Sequence, residues 1–141
     1  MTISQIFITE KIRLLREYIQ KSKDIFDAIS DDKNILESNN VYVLERMFQL
    51  AVEVVIDINN YLIKELDIEP AENMEGTFET LAKNNVLPAD FAVKMGPTIG
   101  LRNKLVHVYE KIDRASFVGD FRKDIGDFDE YISYVLKFMK S

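Results

Sequence analysis

Hydrophobic residues recur every three or four positions along most of the chain, which is the period of α-helices that bury one face. Residues 5–29 follow this pattern and predict one long helix, which Ser22 could break. Residues 41–66 are the most apolar segment and predict a central helix with a single polar stripe. The positions expected to face inward in the first helix are Ile6, Ile12, Leu15, Ile19, Ile25, Phe26 and Ile29. The polar stripe of the central helix comprises Arg46, Gln49, Glu53, Asp57, Asn60 and Lys64.

Turn-forming residues separate the predicted helices. Clusters of Ser, Asp and Asn favour a connection over residues 30–40, and residues 67–76 favour another. We expect Thr77 to cap a short helix that ends at Lys83.

Proline and glycine subdivide the second half of the chain. A helix is predicted from Pro88 to Met95, and the Gly96-Pro97 pair predicts a kink or a restart before Arg102. Residues 114–140 close the chain as one helix, or as two because of internal glycines. No segment alternates as a strand does, so residues 1–141 are predicted to form a single all-α domain.

The polar face of the predicted helix around residues 100–109 is the main candidate for chemistry. It carries His107, the only histidine among the 141 residues. On a helix, Asn103 and His107 share a face, while Arg102 and Tyr109 align with each other roughly 140° away. The long arginine side chain can reach back toward the imidazole. This spacing is also compatible with ordinary surface residues.

The central polar stripe has two interpretations. It is either the edge that a central helix shows to water, or a set of partners for the Arg102 helix. In the second interpretation Glu53, Asp57 and Asn60 orient cations of that helix or line an interface, because ionised carboxylates on so apolar a helix need partners if buried.

Composition narrows the possible functions. The absence of cysteine excludes disulfides, thiolate metal sites and a catalytic cysteine, and a single histidine argues against a zinc site of histidines within one chain. Carboxylates could still bind Mg²⁺. The net charge of −6 argues against bulk attraction to nucleic acid, but residues 94–114 carry a local excess of bases where RNA would bind. No signal peptide or membrane-spanning run is evident, so a cytoplasmic protein is expected.

The motif Arg102-Asn103-(x)3-His107-x-Tyr109 resembles the signature of the HepT-like ribonuclease family of the HEPN superfamily. Segments 45–53 and 57–63 resemble the family's second block, and segments 78–81 and 86–88 resemble the stretch before the signature. The resemblance therefore covers nearly the whole chain. Tyr61 departs from it, because many relatives carry histidine there.

This resemblance implies an all-α HEPN-type bundle of about five helices that dimerises through its signature helices. It implies a metal-independent endoribonuclease, without cofactor, that acts as the toxin of a type VII-like toxin–antitoxin pair. The implied partner is an MNT-type nucleotidyltransferase antitoxin that silences the toxin by transferring AMP to Tyr109.

Metal-free RNA cleavage needs a proton acceptor for the 2′-hydroxyl, a proton donor for the leaving 5′-oxygen and a positive charge for the phosphorane. Histidine suits the proton transfers and arginine suits phosphate oxygens. We expect His107 to be the general acid/base and Arg102 to stabilise the transition state. Asn103, Lys104 and Tyr109 would bind substrate. One chain supplies a single imidazole, so a two-fold dimer is the expected catalytic unit.

Two other functions fit the same residues. In a non-catalytic partner of a nucleotidyltransferase, Arg102 and Lys104 would hold nucleotide phosphates or dock the enzyme. A structural helical dimer is the third alternative. Chelator-resistant RNA cleavage separates the nuclease from both.

Overall fold

The computed structural model of the protein describes residues 4–107 and 111–141, and these fold into helices without a strand. The helices are α1 (Gln5–Ala28), α2 (Asp32–Leu36), α3 (Asn40–Glu65), α4 (Gly76–Lys83), α5 (Ala89–Val106), α6 (Arg114–Asp124) and α7 (Gly126–Lys140). The all-α prediction is confirmed. The described residues contain seven helices rather than about five, because 30–40 contains α2 and the last segment divides.

Helix α3 is the centre of the bundle. It packs along α1 and also contacts α2, α4, α5 and α6. Near its N-terminal half, the ring of Phe48 meets Phe117, Phe121 and Phe128 edge-on, with centroids 5.2–6.1 Å apart. Edge-on pairs of this kind stabilise a core beyond their buried area. Helices α6 and α7 therefore both pack against α3 at Phe48.

Helix α1 is continuous through Ser22, so the predicted break does not occur. The Ser22 hydroxyl is buried and donates to the Tyr18 carbonyl at 3.0 Å, which satisfies it without interrupting the helix. The inward face differs at one end, since Ile6 is 84% exposed and Ile8 is buried instead. The prediction for Ile6 is wrong because the packed face of the first turn passes through Ile8.

Arg122 joins the C-terminus of α1 to α2. Its guanidinium donates to the carbonyls of Phe26 and Ile29 at 3.0 and 2.7 Å. It also donates to Asp32 at 2.7 Å, and it lies 4.7 Å from the centroid of the Phe26 ring. The last carbonyls of a helix have no N–H donor from a following turn, and these bonds supply donors to two of them at the end of α1.

A buried polar network links α3, α4 and α7. The Tyr131 hydroxyl donates to Asn59 Oδ1 at 2.6 Å, and Asn59 Nδ2 donates to Thr77 Oγ1 at 3.0 Å. Thr77 in turn donates to the Met74 carbonyl at 2.6 Å. The prediction that Thr77 caps α4 is therefore wrong, because α4 begins at Gly76 and the hydroxyl serves this network.

Helix α5 runs without a restart through Pro97, contrary to one predicted outcome. Pro88 is its N-cap residue rather than its first residue. Proline lacks the N–H that would bond the Val93 carbonyl, and Val93 lies at an exposed position where water can reach that carbonyl. One helix therefore carries the chain from Ala89 to the signature residues.

The final segment divides at Ile125 into α6 and α7, which confirms the two-helix alternative. None of the helices in the described part of the chain is long and apolar enough to cross a membrane.

Candidate functional site

Arg102 lies in the last turns of α5 and is held by two different side chains. Its Nη2 donates to Glu53 Oε1 on α3 at 2.9 Å, and its Nη1 donates to Asn103 Oδ1 at 3.0 Å. The Nε atom is buried and has no acceptor among residues 4–107 and 111–141. The side chain is 20% exposed, so the guanidinium is fixed in position while part of it reaches the surface.

Glu53 connects the polar stripe of α3 to this arginine. Its side chain is 34% exposed, and the same Oε1 atom accepts a longer bond from Gln49 Nε2 at 3.4 Å. A charge-assisted bond between a carboxylate and a guanidinium orients the guanidinium more strongly than a neutral bond does. Gln49 belonged to the predicted stripe but was not among the predicted site residues. The sequence feature that could have identified Gln49 is its position one helical turn before Glu53.

The predicted partners Asp57 and Asn60 form no hydrogen bond or ion pair with Arg102 within the described part of the chain. Asp57 instead forms an ion pair with Lys11 of α1 at 2.9 Å, and Asn60 is exposed beside Ile63 and Lys64. Successive stripe residues diverge around the helix by tens of degrees, so Glu53 faces α5 while Asp57 faces α1. Of the two interpretations of the stripe, that of a partner for the Arg102 helix therefore fits Glu53 but not Asp57 or Asn60, which lie on the exposed edge of α3.

His107 is exposed at the end of the site helix rather than within it. Helix α5 ends at Val106, and His107 takes an extended conformation (φ −82°, ψ 116°) as the C-cap residue. Its backbone N–H still donates to the Asn103 carbonyl at 3.1 Å. The predicted helical placement of His107 is therefore wrong by one residue, and His107 is the exposed residue that follows the last turn of α5.

Asn103 and Lys104 complete the described part of the site. The Asn103 oxygen faces Arg102, which leaves its amide nitrogen to donate elsewhere, and Lys104 is exposed. Tyr109, the predicted substrate-binding and modified residue, lies outside the described residues. Within the described residues no three His, Asp or Glu side chains cluster as metal ligands would.

The model of the family described as "Ribonuclease HepT-like" matches residues 8–135. The chain is 31% identical over 111 residues to the tRNA nuclease HepT of Aphanizomenon flos-aquae, covering 79% of this chain and 75% of the relative. It is 23% identical over 128 residues to the mRNA nuclease HepT of Shewanella oneidensis, covering 91% of this chain and 95% of that one.

A solved structure has the same fold. It is the tri-AMPylated Shewanella oneidensis HEPN toxin in complex with an MNT antitoxin, with a TM-score of 0.84 at 20% identity over 95% of this chain and 99% of that chain. The family match spans most of the sequence and contains Arg102, Asn103 and His107. The predicted resemblance is thus confirmed, and the chain belongs to the HepT-like ribonuclease family.

Proposed function

We propose that this protein is a metal-independent endoribonuclease toxin that cleaves RNA by acid/base chemistry and is controlled by a nucleotidyltransferase antitoxin. The observation that carries the proposal is that α5 places a fixed guanidinium in its last turns and an exposed histidine directly after its end. Arg102 is oriented by Glu53 and Asn103, and His107 lies five residues further along. Relatives of this family are named as nucleases of tRNA and mRNA.

Each described site residue has a chemical task in this proposal. His107 of one copy accepts the proton of the 2′-hydroxyl, and His107 of the second copy donates a proton to the leaving 5′-oxygen, since imidazole can both accept and donate a proton. Arg102 stabilises the charge that develops on the phosphorane. The amide N–H of Asn103 and the ammonium of Lys104 bind phosphate oxygens beside them. Acid/base catalysis of this kind contributes roughly 10²–10⁴-fold to the rate.

The catalytic unit is proposed to be a homodimer in which both copies of α5 face one cleft. A single chain offers one imidazole, whereas the reaction needs a base and an acid at the same phosphate. The exposed position of His107 at the helix end supports this arrangement, because an imidazole at the surface can meet its counterpart across a two-fold axis.

Control by the antitoxin is proposed to act through Tyr109. A relative of the same fold is tri-AMPylated and bound to an MNT antitoxin. Tyr109 follows His107 by two residues, so an AMP group there would add negative charge beside the proposed cleft and repel RNA phosphates.

The proposal is tested by incubating the purified protein with RNA in EDTA and identifying the new termini. We expect chelator-resistant cleavage that leaves 2′,3′-cyclic phosphates, and we expect His107→Ala to abolish it while the dimer persists in sedimentation. Full activity of His107→Ala would remove the imidazole from the mechanism. Inert RNA together with tight binding of nucleotide or of the nucleotidyltransferase would instead favour the non-catalytic module, in which Arg102 and Lys104 only hold phosphates.

A further inference from the structure

Tyr42 is an exposed aromatic residue whose ring is held on one side by a cation. It is 56% exposed in the first turn of α3. The Arg114 guanidinium lies over the ring at 5.3 Å from its centroid, and Arg114 Nε donates to Glu45 Oε2 at 2.7 Å. The ion pair with Glu45 fixes the guanidinium, which in turn restrains the ring. A single exposed aromatic residue is ordinary on a protein surface, so a function for Tyr42 has to be argued from its location.

The location of Tyr42 is continuous with the proposed site. Tyr42, Arg46, Gln49 and Glu53 are separated by four, three and four residues, which places them on one face of α3. Glu53 at the far end of this face holds Arg102. From Tyr42 to Glu53 the helix axis covers about 16 Å, since each residue adds about 1.5 Å.

The N-terminus of α6 also lies against this part of α3. Arg114, its first residue, forms an ion pair with Glu45, and its guanidinium lies over the Tyr42 ring. The face from Tyr42 to Glu53 is therefore contacted by α6 at one end and by Arg102 of α5 at the other.

The charge of this face suits a polyanion although the whole chain carries −6. Arg46 is exposed, and the side chain of Arg114 is 48% exposed, whereas that of Glu45 is only 15% exposed. The carboxylates of Glu45 and Glu53 are both engaged by arginines. A docking surface for a folded protein usually has an apolar centre, which this face lacks apart from the one ring.

We propose that Tyr42 and Arg46 form a binding subsite for single-stranded RNA that flanks the scissile phosphate. One base stacks on the free side of the Tyr42 ring, and Arg46 contacts backbone phosphates between that base and Arg102. About 16 Å corresponds to about five nucleotides at the ~3.4 Å spacing of a stacked strand. Aromatic stacking beside a basic track is how single strands are bound without base-specific hydrogen bonds. This inference rests on the proposed ribonuclease function.

The test measures binding of a fluorescein-labelled, 2′-O-methylated single-stranded RNA in EDTA by fluorescence anisotropy. Methylation removes the nucleophilic hydroxyl, so binding is measured without cleavage. We expect Tyr42→Ala to raise Kd about 5- to 150-fold, because stacking contributes about 1–3 kcal/mol per base. Tyr42→Phe keeps the ring and should stay within about twofold of the parent. Arg46→Gln should reduce the slope of log Kd against log salt by about 0.7.

Arg16→Gln is the matched control, because it removes the same charge from an exposed position on the groove between α1 and α7. It should leave the salt slope unchanged. Circular dichroism of Tyr42→Ala checks that the helices persist, and Tyr42→Phe guards against misreading a folding defect.

The subsite proposal is overturned if Tyr42→Ala has the parental Kd, or if Tyr42→Ala and Arg16→Gln lose RNA affinity equally. It is also overturned if Tyr42→Ala binds the nucleotidyltransferase more weakly while its RNA binding is unchanged. Cleavage of unmodified RNA by the parent chain is followed in parallel. If the parent cuts RNA and Tyr42→Ala cuts and binds as well as the parent, only the subsite fails. If the parent binds RNA through Tyr42 but never cuts it, only the nuclease proposal fails.

Discussion

Replacing Glu53 by glutamine tests whether the ion pair with Arg102 positions the guanidinium for catalysis. Glutamine keeps an oxygen that can accept from Arg102 Nη2, now 2.9 Å away, but removes the negative charge. Arg102 stays charged, so the bond to glutamine keeps a charged donor and only the attraction between the two opposite charges is lost. For a partly exposed pair this attraction contributes about 0.2–1 kcal/mol. A loss of that size predicts a kcat up to about 5-fold lower if it is felt fully in the transition state.

The expected signature is a loss in kcat without a rise in KM. Removing a carboxylate next to the cleft lowers repulsion of RNA phosphates, so ground-state binding should hold or improve. Cleavage of a labelled RNA under steady-state conditions gives both constants. The change in stability should be small, about 1 kcal/mol or less, because both side chains of the pair are partly exposed.

Asp57→Asn is the control for Glu53→Gln. It removes the same charge one turn along α3 and also breaks an ion pair of 2.9 Å, but that pair joins Lys11 rather than Arg102. We expect its kcat to stay within about twofold of the parent. The positioning argument fails if Glu53→Gln has the parental kcat, or if Asp57→Asn loses as much.

Two further predictions concern stability, each followed by thermal or chemical unfolding. Arg122→Met should lower the free energy of unfolding by about 2–3 kcal/mol, because it deprives two carbonyls and Asp32 of their donor; Lys123→Met, the exposed neighbour, should change it by less than ~0.5 kcal/mol. Burial raises the pKa of the Tyr131 hydroxyl well above its usual value of 10.0, so above about pH 10 the unfolded chain ionises while the folded one does not, and stability falls as the pH rises. Tyr131→Phe should flatten that alkaline decline while costing about 1–2 kcal/mol at neutral pH, since it leaves Asn59 Oδ1 without its donor; an unchanged alkaline slope would contradict the assignment.

Local patterns were sufficient to predict most of the helices. The apolar period over 5–29 and 41–66 corresponds to α1 and α3, because burial of one face every 3.6 residues is a property of the segment itself. The division of the last segment was also visible, since the glycine at position 126 weakens a helix where α6 and α7 meet. The turn-forming residues of 30–40 predicted a connection, but the helix α2 forms there and its Asp32 accepts a hydrogen bond from Arg122.

Other features of the elements depended on partners distant in the sequence. Thr77 resembled an N-cap, but the buried amide of Asn59 recruits its hydroxyl into the core network. Pro97 predicted an interruption, yet packing of α5 against α3 and α4 keeps the helix continuous on either side of the missing bond. Such contacts outweigh local preferences of about 1–3 kcal/mol.

The candidate site divides in the same way. The sequence determined which side chains can do the chemistry. The proton-transfer ability of the one histidine, and the charge and hydrogen-bonding groups of the nearby arginine and asparagine, belong to the residue types and do not depend on the fold. Only the tertiary structure decided that Glu53 rather than Asp57 holds Arg102, and that α5 stops at Val106 and leaves His107 exposed. The choice of Glu53 depends on the directions from which α5 and α1 approach α3, which is a long-range property that the period of a single helix does not contain.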